Sequence, residues 1–81
     1  MRTSVRVFAL ARQLVGQDAV AVDLPPEATV AELRKALADQ HPALAGLVPH
    51  ALFAVDAQYA PDASAIPPGA EVALIPPVSG G

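Results

Sequence analysis

With 81 residues, a net charge of −3 and no cysteine, the chain has the size of one small domain that must hold together without disulfides, and thiolate metal sites, iron–sulfur ligation and a cysteine nucleophile are excluded. Its five basic residues, Arg2, Arg6, Arg12, Arg34 and Lys35, form no run and have no interleaved aromatics, which argues against nucleic acid as a partner. No apolar run reaches the roughly 18 residues of a membrane span, and Arg6 and Arg12 interrupt the first apolar stretch as a secretory leader would not, so the expected location is cytoplasmic, with no membrane partner.

Ser4 to Leu10 has strand period: Val5, Val7 and Ala9 alternate with Arg6 and Phe8. Val5 and Val7 are the expected inward residues, which turns Phe8 to the opposite face. Ala11 to Val15 reads as a short helical turn stopped at Gly16. Val20 to Leu24 is a second strand pattern, ended by Pro25 and Pro26.

Thr29 followed by Glu32 is a capping-box signature, so an amphipathic helix should start there. Val30, Leu33 and Leu37 share one face of it; Arg34, Lys35 and Asp39 are expected to face solvent. Pro42 disfavours helix at His41, which sets the stop. Residues 43–51, with Gly46 and Pro49, carry no periodicity that assigns them. Leu52 to Val55 reads as a strand, Asp56-Ala57-Gln58 as a turn, and Tyr59-Ala60 suits a short edge strand. Pro67-Pro68-Gly69 marks another turn. Glu71 to Ile75 is the last strand, which Pro76 and Pro77 end because they offer no ladder donors.

This order describes an α+β domain, a mixed sheet with one long helix packed on one face. The other face is left uncovered, which makes large apolar residues on it informative. Phe8, Tyr59 and Ile75 are the candidates for an apolar docking patch there; the alternative is ordinary core or isolated surface hydrophobes. The two histidines, His41 and His50, have no cysteine and no carboxylate cluster near them in sequence, so no metal site is expected. Glu32 is accounted for by the capping box, and no Ser–His–Asp or phosphate-loop pattern is present.

The domain is expected to occupy residues 1–75, with residues 76–81 as an extended tail ending in Gly-Gly. Pro76 and Pro77 make a stiff base. Gly80 and Gly81 carry no side chain and could enter a narrow channel. A stiff base, a slim tip and a free carboxylate on Gly81 suit a substrate arm delivered to other enzymes; the alternative is a frayed terminus.

The ending GAEVALIPPVSGG, the opening VRVFALARQLVG and the segment LFAVDAQYA resemble the small-subunit family of molybdopterin synthase, ubiquitin-like sulfur carriers with the β-grasp fold. The resemblance implies a chemistry centred on Gly81, with Gly80 beside it. An ATP-dependent activating enzyme would adenylate the Gly81 carboxylate, and a persulfide would displace AMP to leave a thiocarboxylate. The carrier would dock into the large synthase subunit, in a heterotetramer, and pass its sulfur to a pyranopterin precursor. Phe8, Tyr59, Ile75, Pro76, Pro77, Val78 and Ser79 would be the partner-binding residues. ATP would belong to the activating enzyme, with no cofactor bound permanently, and the chain would be a carrier subunit without being the catalyst. The rival readings are a carrier for thiamine or tRNA thiolation, a protein modifier joined through Gly81 to target lysines, and an interaction module with an inert tail.

Overall fold

Alternation in the first strand decides the architecture. In β1 (Arg2–Val7), Thr3, Val5 and Val7 are buried while Arg2, Ser4 and Arg6 are exposed, so one face of the sheet is committed to a core and the other is not. The computed structural model describes residues 1–76. After β1 come α1 (Ala9–Val15), β2 (Ala19–Asp23), α2 (Val30–Gln40), β3 (Leu52–Val55), β4 (Gln58–Tyr59) and β5 (Val72–Ile75). The strands form one sheet in the order β2-β1-β5-β3-β4. β1 and β5 are parallel and every other pairing is antiparallel. This is the mixed α+β arrangement that the sequence implies.

The core lies between the sheet and α2. Val5, Val7, Val20, Val22, Phe53, Val72 and Leu74 meet Val30, Leu33 and Leu37 there, all buried. Leu44, Val48 and Ile66 close its ends. Each of these larger side chains contributes roughly 1.5–3 kcal/mol on burial.

The start of α2 is fully satisfied. Thr29 Oγ1 accepts from the Glu32 N–H at 3.3 Å, and Glu32 Oε1 accepts from the Thr29 N–H at 3.1 Å, the capping box read from the sequence. The Val30 and Ala31 N–H groups donate to Ser64 O and Asp62 O. The helix ends at Gln40 with His41 as its cap, where Pro42 requires it.

Several local expectations shift. β1 starts two residues earlier than the alternation from Ser4 implies, and it stops at Val7 because the chain leaves the sheet after Phe8. α1 begins at Ala9, and β4 pairs Gln58 and Tyr59 with Val55 and Ala54, one residue before the expected Tyr59-Ala60. The unassigned stretch holds two 3₁₀ turns, Pro42–Leu44 and Val48–His50, each with proline in its first turn.

Arg34 is the substantive correction. Rather than facing solvent, it is half-buried, and its Nη1 donates to Val48 O at 2.5 Å and Ala51 O at 2.8 Å. Its Nη2 meets Asp62 at 2.8 Å, and its guanidinium lies 5.0 Å from the centre of the Phe53 ring. The side chain is long enough to reach past the edge of the apolar stripe and pin the 3₁₀ segment to α2.

Candidate functional site

The uncovered face of the sheet is built by strand register. Antiparallel and parallel partners share a face, so Ala19, Arg6, Ala73, Ala54 and Tyr59 form one row across all five strands. Two residues further along, Ile75 of β5 stands opposite Leu52 of β3, and Phe8 continues the outward series of β1.

A sharp change of backbone direction fixes Phe8. It is the last extended residue, with φ −133° and ψ 162°. Ala9 then enters the left-handed region at φ 50°, which residues with a Cβ rarely adopt, and this turn lifts the chain off the sheet into α1. The Phe8 side chain is 44% exposed. Tyr59, on the edge strand β4, is 69% exposed. Ile75 and Pro76 are half-buried. Phe8 and Ile75 are therefore brought to one region of the open face, at the end where β5 leaves the sheet, and Tyr59 sits at the β4 margin of the same face.

Leu52 joins them without having been among the residues expected from the sequence. It is 56% exposed and sits opposite Ile75. The alternation Leu52-Phe53-Ala54-Val55 puts Leu52 and Phe53 on opposite faces, but with all four residues apolar it does not say which of the two faces out. Ala73 and Ala54 between these residues are small, so the bulky side chains rise from a low floor. An apolar surface of this kind, rimmed by polar residues, suits a protein partner better than a small molecule.

Pro77, Val78, Ser79, Gly80 and Gly81 lie outside the described residues. What is described is the approach to them: β5 is central in the sheet and ends at Ile75. The two histidines have structural surroundings. His41 Nε2 lies 2.8 Å from Ala21 O, on the β2 edge, and His50 is exposed at the end of a 3₁₀ turn. Among the described residues, no group of three or more His, Cys, Asp or Glu side chains gathers to hold a metal ion, and no helix is long and apolar enough to cross a membrane.

Comparison with known proteins places these features in a family context. Residues 5–81 match the model of the ThiS family. The molybdopterin synthase sulfur carrier subunit of Caenorhabditis elegans is 39% identical over 79 residues, covering 95% of this chain and 94% of that protein. Among solved structures, the small archaeal modifier protein 1 of H. volcanii is 30% identical with a TM-score of 0.82, covering 95% of this chain and 98% of that one. A putative molybdopterin converting factor subunit 1 from Pyrococcus furiosus is 26% identical with a TM-score of 0.81, again covering 95% and 98%. The ubiquitin-like β-grasp architecture is thus shared along nearly the whole chain.

Proposed function

Because the chain belongs to the ThiS family, we propose that it is a sulfur carrier of molybdenum cofactor biosynthesis, acting through the carboxylate of Gly81. The observation that carries this reading is that the family match extends through the PPVSGG segment to residue 81. The names borne by its relatives favour the molybdopterin pathway over thiamine or tRNA thiolation.

A carboxylate is a poor acyl donor and needs activation before it can exchange oxygen for sulfur. In the proposed sequence, an ATP-dependent enzyme joins the Gly81 carboxylate to AMP with release of pyrophosphate. A persulfide sulfur then displaces AMP, and reductive cleavage of the sulfur–sulfur bond by a thiol leaves the thiocarboxylate. The sulfur is the better nucleophile because it is soft and ionised at neutral pH. It attacks the pyranopterin precursor within the large subunit, and hydrolysis returns the carboxylate. A dithiolene needs two sulfurs, so two carriers act in turn.

The chain's own contribution is delivery. Phe8, Leu52, Tyr59 and Ile75 form the docking face, and in the sequence only Pro76 to Ser79 stand between β5 and the glycines Gly80 and Gly81. Without side chains, those glycines let the backbone pass close to another protein's reacting groups.

Expression in cells that lack their own carrier tests the reading through the activity of a molybdenum enzyme. The full chain restores that activity and the chain lacking Gly81 does not. Restoration of thiamine-independent growth instead would move the assignment to the other pathway. A second reading, a protein modifier, is favoured by the likeness to the small archaeal modifier. Adducts joining Gly81 to target lysines, recovered from cells, would support it.

A further inference from the structure

We propose that Arg6 is an ionic anchor of the open face, recognising a carboxylate side chain on the protein that covers it; this rests on the reading of that face as a docking surface. Three of the four arginines are already engaged: Arg2 with Asp23 at 3.3 Å, Arg12 with Asp18 at 2.8 Å and Arg34 with Asp62 at 2.8 Å. Arg6 makes no ion pair or side-chain hydrogen bond among the described residues. It is exposed, and its cross-strand neighbours are Ala19 and Ala73. Nothing bulky or charged stands directly beside it in its row.

Arg6 also borders an open hollow of about 430 Å³, lined by the small residues Ser4, Ala19, Gly69 and Ala70 together with Glu71. Asp18 reaches the same hollow but is engaged by Arg12, and Glu71 lines it without pairing to Arg6. The hollow has room for one side chain from outside.

Position selects the occupant. Arg6 lies two residues before Phe8 on β1, about 7 Å along the strand. A partner that covers Phe8, Ile75 and Leu52 therefore strips water from the guanidinium as well. A desolvated, unpaired guanidinium is strongly unfavourable, so a partner that fits must return a charge there. The guanidinium presents a planar fork of donors that matches a carboxylate in two-point contact. A polyanion such as nucleic acid is a poor match for a lone arginine on a chain of net charge −3. Arg6 thus supplies a positive charge by which this face discriminates between partners, while the apolar residues supply contact area.

Isothermal calorimetry with the large synthase subunit of the same organism, at low and moderate salt, tests the anchor. Arg6→Glu should bind about tenfold or more weakly, Arg6→Ala less so, and Arg6→Lys should recover part of the loss. Arg6→Ala should also flatten the salt dependence. Because the Arg6 side chain has no partner among the described residues, thermal unfolding of these variants should match that of the unsubstituted chain. Unchanged binding by Arg6→Glu, with binding lost in Phe8→Asp, would overturn the anchor and leave the docking face standing. Unchanged binding by Phe8→Asp would overturn both.

Discussion

Replacing Arg34 with methionine should destabilise the domain by about 2 kcal/mol. The side chain donates to the carbonyls of Val48 and Ala51, and both residues are buried. Ala51 O is left without a donor, which costs about 1–3 kcal/mol, while Val48 O keeps the Ala51 N–H at 3.2 Å and loses one further hydrogen bond worth about 0.5–1.5 kcal/mol, roughly 1.5–4.5 kcal/mol together. Methionine keeps part of the packing against Phe53 and relieves the buried Arg34 Nε, which has no hydrogen-bond partner, so the lower half of that range applies. For a domain of this size, about 2 kcal/mol corresponds to roughly 8–16 °C in Tm. Urea unfolding followed by circular dichroism measures the loss, with the slope checked for two-state behaviour. Asp62→Asn separates the two roles of Arg34: its ion-pair carboxylate is on a side chain 57% exposed, so that variant should lose less than about 1 kcal/mol. A loss below about 1 kcal/mol for Arg34→Met, or an equal loss for Asp62→Asn, would refute the assignment of Arg34 as the pin of the 3₁₀ segment.

Particular contacts set three further outcomes. Ala57→Gly should stabilise the domain by about 0.5–1 kcal/mol, because Asp56 and Ala57 have φ 50° and 67° in the two-residue β3–β4 turn, where Asp-Gly is favoured; a lower Tm would count against it. Gln40→Ala should speed amide exchange at Asp23 and cost about 1 kcal/mol, since the Gln40 amide bonds both the Asp23 N–H at 2.8 Å and the Asp23 C=O at 2.9 Å; unchanged protection would contradict this. Leu52→Asp should leave the unfolding free energy within about 0.5 kcal/mol of the original and weaken docking to the large subunit, and calorimetric binding equal to the unsubstituted chain would remove Leu52 from the face.

Much of this was legible in the chain. The alternation in β1 placed Val5 and Val7 inward and Phe8 outward, and Thr29 with Glu32 fixed the start of α2, because both signals are carried by residues within one turn or one pleat of each other. What escaped depends on distant partners. Arg34 reaches carbonyls 14 and 17 positions away, so its local position beside the apolar stripe suggested solvent. The 3₁₀ turns at Pro42–Leu44 and Val48–His50 have no period of their own, and the second is tied to α2 by that contact. Leu52 sits in a wholly apolar tetrapeptide, and only the pairing of Phe53 with Leu74 tells which alternate residue faces out. Gln40 and His41 meet the β2 edge 17 and 20 residues away, which no local pattern records.

The central claim is that Gly81 carries sulfur, and the intact mass of the protein tests it most directly. The chain is incubated with ATP, a candidate activating enzyme shown to work on a known carrier, and a persulfide source with a thiol reductant. The account predicts a gain equal to the replacement of one oxygen by one sulfur, localised by fragmentation to Gly81 and absent without ATP. An unchanged mass under those conditions would contradict it.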